Sequence, residues 1–214
     1  MSRVTVYGAA YSVYVRIVRL VLEELRVPYD LVEIDIFAKE SVPADYGARH
    51  PFGKIPAFDH DGFHLFETDA IARYAIDAFG DAGLMPATPR ERARTIQIMR
   101  IMDNYAYRAL VWGVFVEEVE RGRADSLTAE EVARARRVLD ALHALMDGCY
   151  LVGDTLTLAD LWAAPMFTYF RLAPTGQRLL AQYPDLLAWL NRMTERDSLK
   201  ATLFPREREA SGAG

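Results

Sequence analysis

Between Asp81 and Pro89 the chain changes its pattern, and this change constrains the fold more than any other feature of the sequence. Ahead of it, short β-branched and aromatic runs alternate with single helical stretches; beyond it every periodic segment is helical. Gly83, Pro86 and Pro89 stand close together at the junction, as in a linker. A chain of 214 residues suits two small domains sharing an interface. We expect an α/β domain over residues 1–82 and an all-α domain over 88–204. The polar, glycine-containing end, 205–214, reads as a disordered tail. With 51% of residues apolar, both domains can bury a core.

In the first segment, Val4 to Tyr7 reads as a strand that ends at Gly8. After a loop, Tyr14, Ile17, Val18, Val21, Leu22 and Leu25 recur at helical spacing and form one apolar stripe, closed by Val27-Pro28. Tyr29 to Ile36 is a second strand, so the unit is β-α-β with parallel strands. Phe37 to Phe52 has weak periodicity and reads as loop with at most a short helix. Ile55–Asp59 and Phe63–Phe66 flank His60-Asp61-Gly62, and Asp-Gly between apolar runs signals a hairpin. A helix from Asp69 to about Phe79 follows. The order β-α-β, then β-β-α, is that of a thioredoxin-like sheet.

In the second segment, Thr88-Pro89-Arg90-Glu91 opens a helix reaching about Arg121 that is apolar on several faces. Thr128 to Glu131 opens another, with Val132, Ala135, Leu139, Leu142 and Met146 on its stripe and Gly148 as its stop. Thr157-Leu158-Ala159-Asp160 is a third capping box, flanked by Leu156 and Leu161. Thr157 and Asp160 read as structural. Two more helices cover about 175–182 and 184–196.

Several function classes are disfavoured. Net charge is −5 with acids and arginines interspersed, whereas nucleic-acid binding wants a basic face. The sole cysteine, Cys149, allows no internal disulfide framework and reads as a packed small residue in a reducing, cytoplasmic setting. No signal peptide or membrane-length apolar run is evident. His60, His64 and His143 lack ligand partners at useful spacing, so no metal is expected.

Five stretches together carry a resemblance to a known family. They are Tyr7-Gly8; Ser12-Val13-Tyr14-Val15-Arg16; Pro51-Phe52-Gly53-Lys54-Ile55-Pro56; Glu67-Thr68-Asp69-Ala70-Ile71; and Leu151-Val152-Gly153-Asp154 leading to Leu156-Thr157-Leu158-Ala159-Asp160. In this order and spacing the chain resembles the glutathione transferase superfamily, in its soluble, serine-type, bacterial-like form. The resemblance implies a glutathione transferase fold, with glutathione as co-substrate and a small apolar electrophile as the second substrate. It implies a cis Ile55-Pro56 bond whose backbone faces glutathione. Glu67 would meet the γ-glutamyl ammonium, while Thr68 and the helix amides hold its carboxylate. Lys39 and Lys54 would hold the glycyl end. Ser12 would donate its O–H to the glutathione sulfur and steady the thiolate, with Tyr11 as the substitute, since other classes use a tyrosine. Val13 stands where the family commonly has proline, and His50, where asparagine often stands, reads as a turn residue.

The resemblance also implies that Tyr11, Tyr105 and Trp112 wall the electrophile site across a cleft. It implies a two-fold homodimer, with Phe52 inserting into the partner and Arg73 pairing acids across the interface. Rival readings of the same site are glutathione-dependent isomerisation, dehalogenation, peroxide reduction or disulfide exchange, or a non-catalytic binding module.

Overall fold

The computed structural model describes residues 3–38, 42–123 and 127–211. The chain divides into two compact units, Met1–Ala82 with Asp197–Gly214, and Gly83–Arg196.

The first unit is built on four strands: β1 (Val4–Tyr7), β2 (Tyr29–Val32), β3 (Ala57–His60) and β4 (Phe63–Phe66). They lie in the order β2-β1-β3-β4. β1 runs parallel to β2 and antiparallel to β3, and β3 and β4 form a hairpin. The hairpin loop is Asp61-Gly62, with φ of 51° and 88°, the double positive φ that a type I′ turn requires. β2 stops at Val32 rather than continuing to Ile36, because Asp35 turns its carboxylate back onto the Phe37 and Ala38 amides.

Two helices, α1 (Val13–Glu24) and α2 (Thr68–Phe79), pack on each other and on the sheet. α1 is buried almost all round: every residue from Val13 to Leu22 except Tyr14, including Arg16 and Arg19. The apolar stripe read from the sequence accounts for one face only. The other face is covered by the chain's end, where α8 (Asp197–Ala201) lies against α1 and α9 (Pro205–Ser211) follows. Residues 197–204 thus belong to the first unit, not to the helical one, and the expected tail is helical through Ser211. The physical reason is that this short segment buries Leu199 and Phe204 and meets the two arginines.

The second unit is all helical. α3 (Pro89–Ile101) starts at Thr88, whose Oγ1 accepts the Glu91 N–H at 3.2 Å. It runs on into a π segment, Met102–Glu120, wound with i→i+5 hydrogen bonds. The extent agrees with the expected 88–121 helix, but the winding does not. Its buried residues are Met102, Ala106, Ala109, Leu110, Val111, Val114, Phe115 and Glu118, a broad face. α4 (Ala129–Leu145) opens with the Thr128–Glu131 box and ends at Met146, ahead of Gly148. α5 (Leu158–Leu172), α6 (Pro174–Leu180) and α7 (Pro184–Thr194) complete the unit. α5 is buried from Leu158 to Phe170 and packs on the π segment, with Tyr169 stacked on Phe115 at 4.1 Å. Cys149 is exposed, not packed, because the turn it occupies sits at the surface beyond α4. No helix among the described residues is long and apolar enough to cross a membrane.

Candidate active site

The strand register gathers four loops at one end of the sheet. Tyr7 pairs with Val32 on one side and with Ala57 on the other, and Ala57 pairs with Phe66. The residues just beyond those rungs are Gly8–Ser12, Glu33–Ala38, Ile55-Pro56 and Glu67-Thr68. Both helices of the unit start at this end, so two sets of unpaired helical amides face the same region.

Gly8 lets the first loop close in. A Cβ there would lie 2.3 Å from Val15 Cγ2 and 3.3 Å from Ile55 Cβ, so the loop, the first turn of α1 and Ile55 pack without room for a side chain. The Ile55-Pro56 bond is cis. Lys54 and its side chain are exposed, while its carbonyl is fixed by the Tyr46 hydroxyl at 2.8 Å. Burial pushes the Tyr46 phenol up to about 12, so the donor stays protonated.

Ser12 is the N-cap of α1, half-buried, with its Oγ accepting the Val15 N–H at 3.4 Å, a long bond. A cap uses an oxygen lone pair and leaves the hydroxyl proton for another acceptor. Capping and donation to an incoming sulfur are therefore compatible.

Tyr11 is arranged differently. Its hydroxyl donates to Asp35 Oδ1 at 2.6 Å, and its ring stacks on Phe37 at 5.9 Å. Burial first, and then the Asp35 carboxylate, hold this phenol well above its ordinary range. Asp35 is correspondingly held low by the Tyr11 hydroxyl and the Phe37 and Ala38 amides. Tyr11 has committed its proton to a carboxylate.

At the head of α2, Glu67 rather than Thr68 takes the cap position, and Thr68 is the first helical residue, buried to 7% exposure. The Glu67 side chain makes no cap hydrogen bond to these amides. Glu67 is exposed and holds φ 72°, a conformation costly for a residue with a Cβ. His50 sits below, buried against Phe66 at 4.9 Å, with burial lowering its pKa; its carbonyl accepts the Gly53 N–H at 2.9 Å. It is a turn residue, as expected.

Lys39 lies outside the described residues. Tyr105 and Trp112 belong to the second unit, on the π segment, and both are exposed, Tyr105 at 64%. Trp112 meets Tyr107 edge-on at 6.4 Å. Arg73 pairs with Asp69 of its own helix at 3.7 Å. Among the described residues no group of three or more histidine, cysteine or acidic side chains could hold a metal.

Asp35 and Tyr46 contribute to this site without having stood out in the sequence. Both lie in stretches of weak periodicity. The available signal was an apolar aromatic in a polar loop (Tyr46) and an aspartate ending a β-branched run (Asp35).

A four-stranded thioredoxin-like unit together with an all-helical second unit defines a fold class that hosts enzymes of several kinds. Known proteins make the class specific. Residues 6–83 match the family model of the glutathione S-transferase N-terminal domain, and residues 76–197 that of the C-terminal domain. A probable glutathione S-transferase GSTF1 of Oryza sativa subsp. japonica is 30% identical over 209 residues, covering 94% of this chain and 95% of its own. Glutathione S-transferase F7 of Arabidopsis thaliana is also 30% identical, over 95% of this chain and all of its own. The solved structure of glutathione transferase F2 from Populus trichocarpa superposes with TM-score 0.81 at 28% identity, covering 99% of this chain and 100% of that one. Glutathione S-transferase-I, solved with lactoylglutathione bound, superposes with TM-score 0.80 at 26% identity over 94% and 98% of the two chains. The chain belongs to the glutathione S-transferase family, as an enzyme with glutathione as its co-substrate.

Proposed function

We propose that Ser12 is the catalytic hydroxyl of this transferase and that the opposing loops hold glutathione against it. One observation carries the reading: the Ser12 hydroxyl accepts a cap bond but has no acceptor of its own among the described residues, at the sheet end where Glu67 leaves the α2 amides without its side chain as a cap. The Ser12 O–H donates to the glutathione sulfur, and the amides at the start of α1 add positive potential. Thr68 and the α2 amides receive the γ-glutamyl carboxylate, and Glu67 its ammonium. The Ile55 backbone, beside Pro56, takes the cysteinyl part like an added strand. Lys54, and Lys39 with it, supply charge for the glycyl carboxylate. The thiolate so held attacks an electrophilic carbon of an apolar substrate. Tyr11 serves through its ring, not as an acid, and Tyr105 and Trp112, exposed on the helical unit, are the further aromatic candidates for that substrate.

Ser12→Ala tests this reading. In the wild type, bound glutathione should titrate well below the free value, followed by thiolate absorbance against pH. A depression of about two units corresponds to ~2.7 kcal/mol of thiolate stabilisation. Ser12→Ala should return the titration toward ~8.5 and lower turnover more than it raises the Michaelis constant. A wild-type protein that binds glutathione without depressing its thiol would sink the mechanism.

The assembly in this reading is a two-fold homodimer. Phe52 touches Phe66 and His50 only by ring edges and remains 70% exposed, an unusual position for a phenylalanine at a loop tip. Sedimentation should show a dimer at micromolar concentration, weakened in Phe52→Ser with helix content unchanged; a monomeric wild type ends the proposal.

A further inference from the structure

α1 buries Arg16 and Arg19 on the face its apolar stripe leaves out. An arginine stays charged at any pH the protein meets, so a buried one needs acceptors on all sides. Arg16 has them. Its Nη1 donates to Glu207 Oε2, its Nε to Thr202 Oγ1 at 3.3 Å and its Nη2 to the Leu199 carbonyl at 3.2 Å. Its guanidinium lies 4.3 Å from the centre of the Phe204 ring. The Arg16 side chain is wholly buried and that of Glu207 is 10% exposed.

These four partners come from the chain's end, 183 or more positions later. The same segment reaches α1 twice more. Ser198 Oγ donates to Glu24 Oε1, and Arg19, anchored on the Tyr29 hydroxyl at 3.0 Å, donates to the Ala201 carbonyl at 3.4 Å. The Glu207 carboxylate serves two elements at once. Its Oε2 also takes the Phe204 N–H at 2.9 Å, so the group that neutralises Arg16 starts α9 as well. Arg16 is one turn beyond Ser12, and its backbone N–H donates to the Ser12 carbonyl at 2.9 Å. The residue gripped by the chain's end is the one that closes the helical turn headed by the catalytic hydroxyl. Among the described residues, Ser12 has only its 3.4 Å cap bond to fix its hydroxyl.

We infer that Asp197–Ser211 is a strap setting the position of the first turn of α1, and that Arg16 and Glu207 are positioning residues for the thiolate. They act through Ser12 and touch no part of glutathione. The inference rests on the Ser12 reading above. A buried ion pair is a weak source of stability compared with apolar residues of the same volume, but it fixes one arrangement of two elements. Reaction geometry rewards such fixing, since a displacement of about 1 Å from a remote change can cost ~100-fold in rate.

The test uses the full-length protein in five forms: wild type, Ser12→Ala, Glu207→Gln, Arg16→Met and Thr202→Val. Glu207→Gln keeps the shape and the bond from Phe204; Arg16→Met keeps the stem packing. For each form, turnover, the titration of bound glutathione by thiolate absorbance, glutathione affinity at low pH and melting temperature are measured. The strap variants should lose about tenfold in turnover and titrate bound glutathione closer to its free value, with low-pH affinity held. Thr202→Val removes one neutral acceptor of Arg16 and the bond from Thr202 Oγ1 to the Ser198 carbonyl at 2.8 Å, and should move both readouts the same way by less; it keeps the inference testable if the charged-pair variants do not fold. Folded strap variants that melt lower yet keep wild-type turnover and titration overturn the inference, while a shift in Ser12→Ala alone leaves the Ser12 reading standing. A silent Ser12→Ala overturns both.

Discussion

Ser12 and Thr157 carry the same signal in the sequence, a hydroxyl one residue ahead of an apolar helix, and the two units use it in opposite ways. Thr157 is 1% exposed and closed in. Its N–H and Oγ1 both donate to Asp160 Oδ2, at 2.8 and 3.0 Å, while Asp160 Oδ1 takes the Leu151 N–H and the Trp189 indole N–H, each at 2.9 Å. Burial pushes the Asp160 carboxyl up, and these four donors pull it the other way. Ser12 is half-open, with one long cap bond and, among the described residues, no acceptor for its hydroxyl. A fully satisfied cap is a structural device because no group is left to act. An incompletely used one can take a ligand.

The largest expected effect breaks the closed cap. Asp160→Ala leaves four buried donors without their acceptor, and each such group costs about 1–3 kcal/mol. Urea unfolding should show a loss of more than about 3 kcal/mol, with the thiol titration of the folded fraction unchanged. A loss well under that, or a shifted titration, would erase the contrast between the two caps. Ser12→Ala should do the reverse. Losing a 3.4 Å cap bond costs stability at the low end of the ~0.5–2 kcal/mol range for N-caps, while the thiolate loses its donor.

This contrast also marks what the sequence could and could not disclose. The β1 and β4 limits, the Asp61-Gly62 hairpin and the Thr128 and Thr157 boxes were legible because each depends on neighbours within a few positions. The burial of Arg16 was not. Its partners are 183 or more residues away, and a charged residue on an amphipathic helix reads as solvent-facing until the covering segment is known. The tail read as disordered for the same reason: its polar residues, Glu207 above all, satisfy a buried charge instead of water. At the site, the cis Ile55-Pro56 bond and the place of Ser12 at the head of α1 were legible through family resemblance. Asp35 was not, since nothing local says which tyrosine an aspartate will engage.

The smallest expected effect tests the neighbour of Ser12. Tyr11→Phe keeps the ring stacked on Phe37 and removes only the hydroxyl that donates to Asp35. Asp35 keeps its bonds from the Phe37 and Ala38 amides, so neutral-pH stability should fall by about 0.5–1.5 kcal/mol. The pH dependence has a definite sign. Tyr11 helps depress the Asp35 carboxyl in the folded state, so its contribution is present above the unfolded pKa and fades as pH falls through the folded one. The stability gap between wild type and Tyr11→Phe should therefore be widest near neutrality and narrow below about pH 3.9, the ordinary aspartate value. Bound glutathione should titrate as in the wild type, because the lost proton was engaged with a carboxylate. If instead Tyr11→Phe raises the bound thiol toward its free value while Ser12→Ala leaves it alone, the catalytic hydroxyl is that of Tyr11, and the open cap at Ser12 is only a weak one.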